Sequence, residues 1–330
     1  MADDKSEVLL IGPARPVIAR GLAAFKLHHL PAAAAEREAF FPTVAHVRAM
    51  AVALPMQPIN AATLARLPKL EIISSFGVGY DHIDAATAAQ RGIIVTHTPD
   101  VLNEEVADTA LGLLLCTARE LPQAERHLRA GKWPQGEYRL TRGTLRERVA
   151  GLVGMGRIGR AIARRLEAFG MPVVYHTRRP RPEVPYRHYA NLVEMARDVD
   201  VLITIVPGGP ATLNIINAEV LEALGPEGIL INVARGSVVD EPALIAALRE
   251  GKIMAAGLDV FAKEPHVPKE LLALDNVVLL PHVGSASVFT REKMDQLVVD
   301  NILAWHAGRP PLTPVPETPW RSWKDATAPA

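Results

Sequence analysis

The stretch that decides the fold reads Val149-Ala150-Gly151-Leu152-Val153, then Gly154-Met155-Gly156-Arg157-Ile158-Gly159, and after a helical segment Val173-Val174-Tyr175-His176-Thr177-Arg178-Arg179. An apolar run, a G-x-G-x-x-G turn, a helix and a second apolar run form the signature of a dinucleotide-binding βαβ unit. The first glycine makes the tight turn, the second lets bare backbone approach a pyrophosphate, and the third allows close helix packing. The helix N-terminus adds free N–H groups and the positive end of its dipole. This makes Gly154, Met155, Gly156, Arg157 and Ile158 the candidate phosphate contacts. A free ribose 2′-hydroxyl calls for an Asp or Glu after the second strand, whereas a 2′-phosphate calls for arginine. Here Thr177, Arg178 and Arg179 come directly after that strand, and no acidic residue comes before Glu183. The expected cofactor is therefore NADPH (NADP) over NADH.

Working outward, the apolar runs continue on both sides. Strands are expected at 149–153, 172–176, 200–206, 228–233, 255–260 and 277–280, with helices at 157–169, 191–197, 217–224 and 241–250. The helix after the glycines places Ile158, Ile162, Leu166 and Phe169 on one face, which predicts packing on the sheet. Upstream, Val8 to Ile11, Met50 to Leu54, Leu70 to Ser74 and Ile93 to Thr96 read as strands, with Asn60 to Leu67 and Asp84 to Gln90 as helices between them. Such alternation implies parallel sheets with helical crossovers. A long helix from Asn103 to Arg119 has apolar residues on more than one stripe, so it is buried on more than one side. A last helix, Thr290 to His306, carries Met294, Leu297, Val298, Ile302 and Trp305 at helical spacing. The Arg309 to Pro316 segment is too rich in proline for helix or central strand and is expected to be extended.

The chain has 330 residues, 49% hydrophobic and 22% charged, with Lys+Arg 36 balancing Asp+Glu 36. That length points to two domains. The balanced charge offers no field for nucleic acid or an anionic membrane. The one cysteine, Cys116, excludes an internal disulfide and reads as a buried thiol in a reducing compartment. The start, Met1-Ala2-Asp3-Asp4-Lys5, is unlike a secretory signal, and no apolar run is long enough to span a membrane. A cytoplasmic location is the expectation. No metal-type cluster such as H-E-x-x-H or C-x-x-C occurs, so no metal is expected. The fold class is α/β: a doubly wound parallel-sheet nucleotide-binding domain plus a second, smaller flavodoxin-like α/β substrate domain. The expected division is 1–99 and 288–330 for the substrate domain and 100–287 for the dinucleotide-binding domain.

Three polar signals stand just after expected strands, where open α/β sheets bind ligands. Arg235 lies in Asn232-Val233-Ala234-Arg235-Gly236, Glu264 precedes Pro265 after Leu258-Asp259-Val260-Phe261, and His282 lies in Pro281-His282-Val283-Gly284-Ser285. An arginine, a carboxylate and an imidazole beside a nicotinamide suit carbonyl reduction. Ser75-Phe76-Gly77-Val78-Gly79-Tyr80 comes after another strand, and its glycines let backbone N–H groups face an anion. Each signal alone has a plainer reading: a satisfied histidine, a turn glutamate, a loop ion pair, two solvated arginines. Their joint placement at strand ends decides for chemistry.

With these motifs in this order, from about Leu70 to Ser287, the chain resembles the D-isomer-specific 2-hydroxyacid dehydrogenase family, especially its hydroxypyruvate/glyoxylate and hydroxyphenylpyruvate reductases. Asn103 to Leu114, Asp240-Glu241 and Gly257 to Glu264 also carry the likeness, and Tyr175 to Arg179 is similar to the NADP-preferring members. The resemblance implies that His282 is the general acid, that Glu264 orients it and favours the imidazolium, and that Arg235 pairs with the carboxylate and carbonyl of a small 2-oxo acid. It also implies that backbone N–H groups of Val78 and Gly79 hold the same carboxylate, with His282 and Arg235 completing the substrate contacts. Asp259 is implied to anchor the nicotinamide carboxamide, with Val206, Pro207, Val233, Ala234 and Gly284 as further cofactor contacts. A homodimer is implied as well. Trp133 and the Met50 to Met56 loop are candidates for the acyl end of the pocket, with ordinary packing as the alternative. No reading attaches to Trp320 or Trp323. The rival readings are an NAD-linked enzyme of phosphoglycerate, lactate or aromatic 2-oxo acid type and a non-catalytic nucleotide sensor. Formate dehydrogenases fit less well, because they pair glutamine with the histidine where Glu264 stands.

Overall fold

The computed structural model describes residues 7–54 and 57–318. The loop position Met56 and the two tail tryptophans, Trp320 and Trp323, lie outside the described residues, as does the Met1 to Lys5 start. The chain divides into two units, one made of residues up to Val101 together with those from Ser287 on, the other of Leu102–Ala286.

The first unit opens with β1 (Glu7–Ile11), α1 (Pro16–Gly21), β2 (Lys26–His29), α2 (Ala34–Phe40), β3 (Ala49–Val52), α3 (Ala61–Ala65), β4 (Ile72–Ser75), α4 (Ala85–Gln90) and β5 (Ile94–Thr96). Its five strands are all parallel and lie in the order β2-β1-β3-β4-β5, the flavodoxin-like order. Every residue of β3 and β4 is buried, which is why both read as unbroken runs of small or apolar residues. The side chains of Asn60 and Asp84 accept the N–H groups of Thr63 and Thr87, fixing where α3 and α4 begin.

The second unit begins with α5 (Asn103–Ala118) and α6 (Leu121–Arg129). It continues through β6 (Ala150–Val153), α7 (Arg157–Ala168), β7 (Val173–His176), β8 (Arg187–Tyr189), α8 (Leu192–Asp198), β9 (Val201–Thr204) and α9 (Ala218–Leu224). It ends with β10 (Ile229–Asn232), α10 (Glu241–Arg249), β11 (Ala255–Leu258), α11 (Lys269–Leu272) and β12 (Val277–Leu279). Its seven parallel strands run β12-β11-β10-β9-β6-β7-β8, so the order reverses between β6 and β9. That switch point is where a doubly wound sheet opens a ligand crevice at the strand C-termini. The largely apolar α5 packs on α7 and on β10, β11 and β12, burying Val106, Ala107, Ala110, Leu111, Leu113 and Leu114.

The chain returns to the first unit through α12 (Val288–His306), capped by the Ser287 side chain and packed on α1, β3 and β4. The Asn301 side chain, fully buried, accepts the N–H groups of Leu312 and Thr313 and donates to the Thr313 hydroxyl. The proline-rich segment is thereby held extended, and Val315 donates its N–H to Val95 beside β5.

Two expectations need correction. Phe169 is not on the packed face of α7: it is the residue after the helix and is 49% exposed, while Gly159, Ala161, Ile162, Ala163 and Leu166 make the contact. The helix ends one residue earlier than the apolar spacing implies. Cys116 is only partly buried, although enough to push its thiol pKa up. It sits beside the packed stripe of α5 and not within it.

Candidate active site

The glycine turn comes after β6 at the switch point. Gly154 has φ +110, and a Cβ there would lie 2.6 Å from the Ile205 carbonyl oxygen. Its N–H donates to the His176 carbonyl at the end of β7, fastening the turn between the two strands. At Gly159 a Cβ would come within 2.5 Å of the Gly154 oxygen, so helix and turn pack backbone to backbone. Gly156 differs, because a Cβ there would meet nothing within 4 Å. It is open for a ligand at the N-terminus of the twelve-residue α7, whose first N–H groups have no side-chain cap. This is the cradle a pyrophosphate requires. Met155 is buried, Arg157 is exposed and Ile158 is partly buried.

Beyond β7 the Thr177 hydroxyl donates to the Arg179 carbonyl, and His188 of β8 lies 2.9 Å from the Thr177 carbonyl through Nε2. The turn is thus built, and Arg178 and Arg179 are both exposed at its tip. Neither guanidinium has a partner among the described residues, which leaves both able to take up a phosphate. Val206 and Pro207 come after β9, partly buried and exposed respectively, while Val233 and Ala234 come after β10 and are buried.

Arg235, Glu264 and His282 stand after β10, β11 and β12, three neighbouring strands, on the same edge of the sheet as the glycine turn. The buried Asn232 side chain accepts the Ala234 N–H and the Thr204 hydroxyl and donates to the Arg235 carbonyl, so the arginine backbone is tied to the strand beneath it. Gly236 lies against the Phe261–Ala262 backbone so closely that a Cβ would fall 1.8 Å from the Phe261 carbonyl carbon. That contact brings the Arg235 loop against the loop carrying Glu264.

Glu264 Oε1 accepts the Phe261 N–H at 3.0 Å, and Oε2 lies 2.7 Å from His282 Nδ1. An ionised carboxylate only accepts, so the proton of that bond sits on Nδ1. Partial burial opposes ionisation of Glu264. The hydrogen bonds from His282 and Phe261 and the charges of His282 and Arg235 outweigh it and hold the carboxyl below its usual range. His282 itself has φ +54, in the left-handed region where few side chains settle. Its N–H donates to the Asp259 carbonyl, and the buried Asp259 carboxylate accepts the N–H groups of Val283 and Gly284 at 2.7 and 2.8 Å. Burial pushes the Asp259 carboxyl up against those two bonds. Asp259 therefore clamps the turn that carries the histidine, a task that sequence spacing does not reveal.

In the first unit, the Gly77-Val78-Gly79 loop comes after β4. Gly77 has φ +122, its N–H donates to the Thr98 hydroxyl and its carbonyl accepts the Thr98 N–H, while His97 Nδ1 lies 2.8 Å from the Val78 carbonyl. Val78 and Gly79 are partly buried in that loop. Trp133 is 65% exposed on a short turn, and Met50 is fully buried in β3.

Residues 111–284 match the family described as D-isomer specific 2-hydroxyacid dehydrogenase, NAD binding domain. A glyoxylate/hydroxypyruvate reductase A of Arabidopsis thaliana is 50% identical over 256 residues, covering 78% of this chain and 82% of the plant protein. A hydroxyphenylpyruvate reductase of Plectranthus scutellarioides is 49% identical with the same coverage. The crystal structure of an NADPH-dependent glyoxylate/hydroxypyruvate reductase from Sinorhizobium meliloti, in complex with NADP and malonate, superposes with a TM-score of 0.91. It has 51% identity, covering 96% of this chain and 99% of that one.

Proposed function

Because this chain belongs to the D-isomer specific 2-hydroxyacid dehydrogenase family, we propose that it reduces a small 2-oxo acid, glyoxylate or hydroxypyruvate, to the D-2-hydroxy acid with NADPH. The observation that carries the reading is the Glu264–His282 contact of 2.7 Å on the sheet edge that also holds the glycine turn. NADPH, when bound, supplies the hydride. The residues that would hold it are the Gly154–Gly159 turn for the pyrophosphate and Thr177, Arg178 and Arg179 for the 2′-phosphate, with Val206, Pro207, Val233, Ala234, Asp259 and Gly284 along the strand ends.

With Nδ1 committed to Glu264, His282 keeps Nε2 to deliver a proton to the substrate carbonyl oxygen. Glu264, held ionised, accepts the Nδ1 proton and so fixes the tautomer and orientation of the ring. The Arg235 guanidinium pairs with the substrate carboxylate in a planar fork. On this reading residues 100–287 form the dinucleotide-binding domain, and the remainder forms the substrate domain.

His282→Ala is expected to lower kcat by about 10²- to 10⁴-fold, the usual worth of a positioned general acid. NADPH affinity, read by fluorescence quenching, should stay near the wild-type value. A variant that keeps most of its kcat, or a wild-type protein that oxidises no NADPH with any 2-oxo acid, overturns the assignment. Arg178→Ala should weaken NADPH by roughly 10- to 100-fold and spare NADH, from the loss of a charged hydrogen bond. Equal weakening of both cofactors would remove the arginine from the 2′-phosphate site. The similar identity to a hydroxyphenylpyruvate reductase keeps an aromatic 2-oxo acid as the second reading, decided by rates on a panel of 2-oxo acids. We also read the protein as a cytoplasmic homodimer: Leu121, Leu128, Trp133 and Leu140 of the second unit are exposed apolar surface, and sedimentation of the native protein tests the pairing. No helix among the described residues is long and apolar enough to cross a membrane.

A further inference from the structure

Glu7, His28 and His46 are far apart in sequence and meet at one point of the first unit. Parallel register sets Glu7 of β1 opposite Lys26 of β2, so Glu7, Lys26 and, two residues on, His28 share one face. His46 lies in the segment that leads from α2 into β3, the other neighbour of β1. His28 Nε2 lies 2.6 Å and His46 Nε2 2.5 Å from the same oxygen, Glu7 Oε2. One potential ligand atom from each residue falls within 4.8 Å of the others. The two imidazoles stand nearly perpendicular, at 86°, so their ring planes approach the oxygen from different directions.

We propose that Glu7, His28 and His46 form a binding site for a divalent transition-metal ion of the zinc, cobalt or nickel class. Two imidazole nitrogens and one carboxylate oxygen are the donor set these ions favour, and three protein ligands leave positions for water. The geometry needs only a small adjustment. Ligand atoms about 2.0–2.1 Å from an ion lie about 2.9 Å apart at a right angle and about 3.4 Å apart at a tetrahedral one. The two Glu7–histidine separations must therefore open by less than about 1 Å, and His46, half exposed on a connecting segment, has room to move.

Each ring nitrogen now donates to the carboxylate. Giving up that proton exposes the Nε2 lone pair to an ion, as metal binding to histidine requires. The Glu7 carboxylate presents Oε2 to both rings. The Lys26 ammonium, 3.2 Å from the other oxygen, is a neighbouring positive group, and its exposed side chain can swing into solvent. The site lies at the N-terminal ends of β1 and β3, whereas the Gly77–Gly79 loop lies past the C-terminal end of β4. An ion there would tie β1, β2 and the approach to β3 together and would have no part in hydride transfer.

The test uses the full chain without a histidine tag, stripped with EDTA and titrated calorimetrically with Zn²⁺ alone. One Zn²⁺ per chain is expected, with affinity falling about tenfold or more in Glu7→Gln, His28→Ala and His46→Gln. Tm should rise with the logarithm of Zn²⁺ concentration in the wild type and not in the variants. His282→Ala should keep full Zn²⁺ affinity, separating this site from the other carboxylate–histidine pair. His46→Gln changes an exposed position, so it reports even if the strand variants fail to fold, and it should leave reductase turnover unchanged. Absence of Zn²⁺ uptake, or equal affinity in wild type and His46→Gln, overturns the proposal.

Discussion

Two places in this molecule set histidine against glutamate, and they differ in what holds the partners. At the second sheet's C-terminal edge, Glu264 takes one imidazole and one backbone N–H, and the histidine backbone is fixed by Asp259 underneath. At the first sheet's N-terminal edge, Glu7 takes two imidazoles on a single oxygen plus a lysine, so its carboxylate is held by side chains. The first arrangement leaves one ring nitrogen aimed outward from a rigid turn, the geometry a proton donor needs. The second turns its donors inward onto one point, the geometry of a cage. A histidine beside a carboxylate is therefore not an acid by residue type alone. The backbone around it decides which nitrogen is offered and to what.

The first arrangement can also be broken by removing the clamp and leaving the pair intact. Asp259→Ala strands two N–H groups beneath the His282 turn, each worth about 1–3 kcal/mol when left unsatisfied. It also frees a residue held at φ +54 to relax. Urea unfolding should show a loss of about 2–5 kcal/mol, and kcat should fall about 10²-fold through misplacement of the ring. Unchanged kcat would show that the histidine keeps its place without Asp259. A smaller effect is expected from Glu264→Gln, which can keep a hydrogen bond to Nδ1 but not the charge. A fall of about tenfold in kcat at neutral pH, within the range a general acid can contribute, is the expectation.

The same variant sharpens the comparison through pH. The Glu264 carboxyl is depressed in the fold, so the stability and activity it supplies are present above its ordinary value of 4.5. They are lost as pH falls through the lower folded value. Glutamine does not titrate, so Glu264→Gln should lack that acid-side loss in both Tm and rate. An identical acid limb in wild type and variant would place the titration elsewhere.

The active edge was readable from the chain because each of its groups comes directly after an apolar run in a parallel sheet, and parallel strands carry their trailing loops to one edge. Arg235, Glu264 and His282 needed nothing but strand order to be brought together. The glycine turn was readable for the same reason, its three positions doing separate steric tasks. The features that escaped lie where partners are supplied by register or by backbone. β2, Lys26-Leu27-His28-His29, and β8, Arg187-His188-Tyr189, are edge strands with few buried residues, so no apolar run marks them. The Glu7 cluster depends on β1 pairing with β2, and Asp259 spends its carboxylate on two N–H groups two dozen residues away. α6 buries none of its residues, so helical periodicity had no packed face to report.

The least disruptive change tests the converging arrangement. In metal-free protein the Glu7 contacts lie at a partly exposed site, where even charged pairs are usually worth about 0–1 kcal/mol because water and salt screen them. Glu7→Gln in EDTA should therefore lower Tm by no more than about 3 °C, the equivalent of that energy in a unit of this size. It should leave kcat with NADPH unaltered, since nothing at the strand C-termini depends on it. With Zn²⁺ present the gap between wild type and variant should widen, because only the wild type gains binding energy on folding. A large loss of Tm without metal would mean that Glu7 is held as rigidly as Glu264, and the contrast between the two pairs would fail.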